Sequence, residues 1–238
     1  MINKNAPLLP EEVINRARKL SVALILDGVK KAKLDIPRDG CMYAEMKPIG
    51  TTRLMVGTAL TVETEGGDNL PLNVAAYSVP LDGYVMVVDG KACKERPYIG
   101  DLFERACQAM GIAGIVVNGY SRDSEGTKEI GLPVYSLGIL PRGPVRVGEG
   151  NINIPVSCAG VNVNPGDLVV GDADGVCVIP KEHIEIVLEK AEEKQAYEEK
   201  RIALIAQYVE AKRTGKELPE LAPKEVIEIR NFPAIMMR

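Results

Sequence analysis

The sequence predicts an α/β fold, and three features carry that prediction. Tyr84-Val85-Met86-Val87-Val88 and residues 112–117 are short apolar runs rich in β-branched residues, the composition of strands buried on both faces. Between them, from Gly100, apolar residues recur at helical spacing (Leu102, Phe103, Ala106, Met110), with Gly111 as the stop. Strand, helix, strand in that order makes a right-handed parallel crossover. After Gly131 the pattern turns to short β runs broken by Pro-Gly turns, and residues 181–215 then read as one long charged helix.

In chain order, Pro10 opens a first helix that reaches Leu20. Ser21 is placed to cap a second, through about Lys31. Residues 53–64 alternate weakly and read as a strand that ends in the turn Gly66-Gly67. Residues 68–77 read as a short helix, with Pro71 tolerable in its first turn. The two crossover strands close at Asp89-Gly90 and Asn118-Gly119. The later β runs are residues 134–137, 145–147, 154–157, 161–163, 168–170 and 175–179. In the long helix, Ile184, Val187, Leu188, Ala191, Ile202, Ile205 and Val209 form an apolar stripe, with nearly continuous charge between its halves. Residues 1–215 are expected to form a single domain that includes the N-terminal helices and the long C-terminal helix. Residues 216–238, with Pro219, Pro223 and Pro233, form a tail that wraps the surface or a partner subunit.

Composition narrows the function classes. A chain of 238 residues can bury one substantial core, and with 46% hydrophobic residues, 4% aromatics and no tryptophan that core must be Val, Ile, Leu and Ala. A net charge of −4 argues against binding nucleic acid by bulk electrostatics. No apolar run approaches the length needed to span a membrane, and Met1-Ile2-Asn3-Lys4-Asn5 lacks an apolar signal core, so the expected location is cytoplasmic. The five cysteines show no metal-ligand spacing; Cys107 and Cys177 fall in apolar patterns and read as buried thiols. The single histidine, His183, opens the last helix as a surface residue, far in sequence from any cysteine it could activate.

The chemistry concentrates in two dipeptides, Gly100-Asp101 and Arg122-Asp123, separated by 20 residues. In a parallel unit, ligands collect beyond the carboxyl ends of the strands. Asp101 falls in the first helical turn and Arg122-Asp123 just past the second strand, so two carboxylates and a permanent cation face one crevice. Such a set suits a hard divalent metal and a developing oxyanion, hence lyase chemistry on a small anionic substrate. The first-turn N–H groups of Leu102 and Phe103 could hold a substrate carboxylate. A plainer reading fits the same residues: Asp101 is a favourable first-turn acid and Arg122-Asp123 an exposed ion pair. Asp68 and Asn69 stand at another helix start, either beside the site or as simple caps. Asp172 and Asp174 resemble a loose metal loop, although acids between strands also serve turn hydrogen bonding. Lys91 and Lys94 lie close by among charged residues, the wrong surroundings for a Schiff-base lysine.

Gly67-Asp68-Asn69, Gly100-Asp101, Arg122-Asp123, Gly131-Leu132-Pro133-Val134, Pro141-Arg142-Gly143, Pro165-Gly166-Asp167 and Gly171-Asp172-Ala173-Asp174-Gly175 occur in this order over about half the chain. The run resembles the family of 4-hydroxy-4-methyl-2-oxoglutarate aldolases and the related regulator of ribonuclease activity A proteins. The resemblance implies a three-layer β/β/α swivelling domain assembled as homotrimers or dimers of trimers. It implies a class II aldolase that uses Mg²⁺ or Mn²⁺ and releases pyruvate from a 4-hydroxy-2-oxo acid, and that could also decarboxylate oxaloacetate. By resemblance Asp123 ligates the metal, Asp101 holds water on it and Arg122 stabilises the enolate. From their places at the helix starts, Gly100, Leu102, Phe103 and Asn69, with Arg122, are the expected substrate contacts. Glu199, from a neighbouring subunit, completes the site by the same resemblance. The aldolase pattern continues Arg-Asp-x-x-acid, whereas this chain has Gly126 at the fourth position and Glu125 one residue earlier. That departure keeps a second function open, a non-catalytic protein that binds and regulates an RNA-degrading enzyme.

Overall fold

The structure, a computed structural model, describes residues 1–231. The chain divides into two compact units, Met1–Glu192 and Glu193–Arg238. The first unit runs α1 (Glu11–Ala17), α2 (Val22–Ala32), β1 (Lys47–Pro48), β2 (Met55–Thr64), α3 (Leu70–Ser78), β3 (Tyr84–Ile99), α4 (Asp101–Ala109), β4 (Gly114–Ser121), α5 (Ser124–Ile130) and β5 (Val134–Ile139). Then come β6 (Gly150–Ile152), β7 (Val156–Cys158), β8 (Val161–Val163), β9 (Leu168–Gly171), β10 (Val176–Ile179) and the start of α6 (Ile184–Thr214). The second unit carries the rest of α6 and α7 (Lys224–Asn231).

The main sheet has the order β1-β5-β4-β3-β2-β9-β10, with β6 added on β2. Strands β2 to β5 are parallel, and β9 and β10 close the far side antiparallel. The unbroken apolar run of β3 follows from burial on both faces, because successive strand side chains point opposite ways. Met86 and Val88 pack with Leu72, Ala75, Cys107 and Ile115 under the helices α3 and α4. Val85 and Val87 face the other way, onto Val156, Cys158, Val161 and Val163 of the small β7–β8 sheet. The result is the three-layer β/β/α arrangement. A further cluster packs α1, α2 and the first turns of α6 (Ile184, Val187, Leu188, Ala191) against β9 and β10.

Local chemistry sets the helix ends. Ser21 is extended and its Oγ accepts from the Leu24 N–H at 3.2 Å, while the helix stops at Lys33 in the left-handed region. Asp172 Oδ2 accepts from the Val22 N–H (2.8 Å) and its Oδ1 from the Asp174 N–H (2.9 Å). The pair Asp172 and Asp174 is therefore turn and cap chemistry, and the metal-loop reading falls away.

Four sequence expectations are corrected. The strand expected to end at Asp89-Gly90 continues to Ile99, through register shifts around Lys91 and Ala92, both left-handed. Gly90 marks an irregularity rather than an end: a Cβ there would lie 2.5 Å from the Tyr98 ring. Residues 124–130 form α5, which periodicity could not show because the helix has seven residues and Gly126 within it. Residues 145–147 are not a strand; Val145 makes one bridge, to Asp68, and holds the loop before α3. Leu102 is 77% exposed, and the buried face of α4 is Glu104 and Cys107, with Phe103 half-buried. The tail contains α7, and the part of it at residues 232–238, with Pro233, lies outside the described residues.

Candidate active site

The site forms where β3 and β4 end side by side. The Arg122 N–H donates to the Ile99 carbonyl at 3.1 Å, which ties the residue just past β4 to the end of β3. Gly100 then caps α4 in an extended conformation that any residue adopts (φ −162°), so its importance lies in the missing side chain. A Cβ at this position would stand 2.5 Å from Asp123 Oδ2 and about 3 Å from Arg122 Cγ and Nε. Glycine here lets both residues close against the helix start.

Asp123 is left-handed (φ 58°), a conformation aspartate tolerates better than most residues, and it opens α5. Its Oδ2 forms an ion pair with Arg122, 3.1 Å from Nε, with both side chains partly exposed. Among the described residues the rest of the Arg122 guanidinium has no side-chain partner, so it remains available to a ligand. Asp101 occupies the first turn of α4. Its Oδ2 is 3.6 Å from Arg105 Nε, and its carboxylate fills the space where Gly126 would carry a Cβ (2.6 Å). Glu125 does not stand in for the missing acid, because it is exposed and paired with Lys128.

Asn69, Gly100, Leu102, Phe103 and Arg122 line one crevice of about 200 Å³ with Asn73, Tyr77, Ile99, Pro144 and Arg146. Neither Asp101 nor Asp123, both expected to face this crevice, is among its lining residues: Asp123 Oδ2 packs against Gly100 and the Asp101 carboxylate against Gly126. The Phe103 N–H already donates to the Gly100 carbonyl (3.1 Å), which leaves the Leu102 N–H without a partner among the described residues. Asn69 is 92% buried by its 8% exposure, its carbonyl accepts from Asn73 Nδ2, and its Oδ1 has no partner. Asp68 is structural. Burial would raise its carboxyl, but hydrogen bonds from the Leu70, Gly148, Val147 and Glu149 amides outweigh that and hold it below the usual range.

Behind the site lies Glu104, fully buried, with Oε2 accepting from Thr127 Oγ1 at 2.6 Å and Ser121 Oγ at 3.5 Å from its other oxygen. Burial pushes its carboxyl up to about 7, and the charges of Asp101 and Asp123 add to the rise. Glu199 is exposed on the part of α6 that belongs to the second unit, whereas every lining residue of the crevice belongs to the first.

Among the described residues no three His, Cys, Asp or Glu side chains converge on a ready metal cage. Asp101 and Asp123 offer oxygen only, and two carboxylates beside an open crevice fit a small hard cation that keeps most of its waters. The donor set suits Mg²⁺ or Mn²⁺ and not a thiolate or imidazole metal.

A family described as RraA-like, Aldolase/RraA, matches residues 22–178. The chain belongs to the RraA-like family. The match spans Asn69, Gly100, Asp101, Arg122 and Asp123 and stops short of Glu199. One relative of this RraA-like chain is a protein of Halalkalibacterium halodurans whose name proposes a 4-hydroxy-4-methyl-2-oxoglutarate aldolase. It is 43% identical over 176 residues, 74% of this chain and 83% of its own. The RNA-processing inhibitor RraA of Thermus thermophilis is similar in structure (TM-score 0.55, 26% identity), covering 59% of this chain and 84% of that one. An uncharacterized protein of Pseudomonas syringae pv. tomato shares the fold over 85% of this chain and 96% of its own, with a TM-score of 0.71 at 22% identity.

Sequence reasoning missed Asn73, Tyr77, Arg146 and Glu104. Asn73 had a signal, four residues after Asn69 and so on the same helix face. Glu104 had one too, three residues after Asp101 on a helix otherwise read for its apolar face. Arg146 had none, since it sits in irregular chain that tertiary contacts alone bring to the crevice.

Proposed function

We propose that this chain is a divalent-metal-dependent pyruvate aldolase that cleaves a 4-hydroxy-2-oxo acid, such as 4-hydroxy-4-methyl-2-oxoglutarate, and also decarboxylates oxaloacetate. The observation that carries the reading is the packing of Asp123 Oδ2 and Arg122 onto Gly100, which sets a carboxylate beside a cation that lines the crevice. Asp123 would hold Mg²⁺ or Mn²⁺, with Asp101 beside it. Bound there, the cation supplies Lewis-acid polarisation of the 2-oxo group.

The remaining roles belong to the chain itself. The Leu102 N–H at the helix start receives the carboxylate next to the keto group. The Arg122 guanidinium stabilises negative charge as the bond between the third and fourth carbons breaks and an enolate forms. Asp101 orients the water that takes the proton from the 4-hydroxyl. Arg146 and Arg122 line the crevice with no acid among its lining residues, which favours a dicarboxylate. A covalent lysine route is disfavoured: hydrogen bonds from Lys91 Nζ to Asp89 and Glu63 raise its pKa and keep it protonated. The active form is a homotrimer or dimer of trimers in the cytoplasm, in which Glu199 completes a neighbour's site. Support for assembly comes from Ile202, Ile205 and Val209, which are exposed along α6.

The alternative is a non-catalytic regulator that binds an RNA-degrading enzyme, and Gly126, in place of the aldolase acid, is the observation that favours it. Pyruvate release from a 4-hydroxy-2-oxo acid decides between them. The aldolase should lose activity in EDTA and regain it with Mg²⁺ or Mn²⁺. Turnover undiminished in excess chelator would end the metal mechanism, and no turnover with either metal would leave the regulator.

A further inference from the structure

Asp101 and Asp123 sit on different helices, and their separation has to be held by something other than their own exposed side chains. The contact that joins the two helices below the site is polar. Glu104 follows Asp101 by one turn of α4, and its Oε2 accepts from Thr127 Oγ1 at 2.6 Å. Thr127 in turn lies one turn beyond Asp123, whose carbonyl accepts the Thr127 N–H (3.1 Å) and approaches Thr127 Oγ1 (3.4 Å). Both side chains are fully buried. Next to Thr127, Gly126 lets α5 close onto the Asp101 carboxylate.

Burying a carboxyl is expensive, and an apolar pair would join two helices without that cost. A methyl contact fixes separation only; a short hydrogen bond fixes direction as well. From this geometry we infer that Glu104 is a positioning residue: through Thr127 it sets the placement of Asp123 relative to Asp101, and so the affinity of the site for a divalent cation. The inference rests on the metal reading proposed above.

Binding of Mn²⁺ to the purified protein, followed by the spin-resonance signal of free Mn²⁺, tests it without recourse to activity. The double variant Glu104→Met/Thr127→Val keeps the helices packed but removes the hydrogen bond. It should melt no lower than wild type and yet bind Mn²⁺ about 10-fold or more weakly, the usual loss when a group supporting a metal ligand is removed. Glu104→Gln keeps an acceptor for Thr127 and should stay within about threefold of wild type. Wild-type affinity in the double variant would reduce Glu104 to a core contact and overturn the inference alone, as would a Gln variant as weak as the double one. A wild-type protein that takes up no Mn²⁺ would remove the metal reading and the inference with it.

Discussion

Gly100 and Gly126 matter for what they lack, since each removes a Cβ from a place that a carboxylate occupies. Arg122 and Asp123 are held together by that space, and mutating them separates the two accounts of the pair. If Arg122 stabilises the enolate, Arg122→Ala should lower kcat by about 10²–10³-fold, as when an oxyanion donor is lost. Arg122→Lys should recover only part, because a point charge on a flexible stem does not reproduce the planar fork. Asp123→Ala should instead shift the Mg²⁺ dependence to higher concentration. Were the two only an exposed ion pair, either change would cost at most about 1 kcal/mol of stability and leave turnover intact. Wild-type kinetics in Arg122→Ala would end the catalytic role.

At the scale of elements, the unit that matters is β3–α4–β4–α5, and its buried carboxyl makes that unit sensitive to pH. Glu104 is pushed up to about 7 in the folded protein, chiefly by burial and then by Asp101 and Asp123, while the unfolded chain ionises it near 4.5. Between those values the folded state holds a proton that the unfolded state has lost, so stability falls as pH rises. The contribution is full below about pH 4.5 and gone above about pH 7, a loss on the order of 3 kcal/mol. Urea unfolding of the metal-free protein at pH 5 and pH 8 should therefore show wild type losing ground to Glu104→Gln. A constant difference between the two proteins across that range would show that Glu104 keeps an ordinary carboxyl.

For the whole molecule, the open question is what covers α6 beyond the first unit. Ile202 is 66% exposed, with Ile205 and Val209 one and two turns on. Burial of such a stripe against copies of the chain would stabilise an oligomer, and light scattering should report a trimer or hexamer. Changing Ile202 and Val209 to lysine should dissociate it and lower activity together. A fully active monomer would exclude a role for Glu199 in a neighbour's site. Among the described residues, no helix is long and apolar enough to cross a membrane.

Most of the architecture was legible in the residues themselves. The strands β3 and β4 announce themselves by β-branched runs, α2 by Ser21 and its period, and α6 by its stripe, because each of these signals is local. The joint placement of Arg122, Asp123 and the α4 start was legible too, since a parallel crossover must bring its strand ends together. Residues far apart in sequence were another matter. Arg146 and Asn73 reach the crevice through packing of α3 and an irregular loop, and the β3 irregularity at Gly90 reflects the Tyr98 ring against it. Glu104 shows the division most clearly: on the sequence it is one more charged helix residue, and only the approach of α5 makes it a buried carboxyl. Local pattern determines which elements form and which way their faces point, whereas burial, and with it the chemistry of a carboxyl group, is a property of what other segments bring into contact.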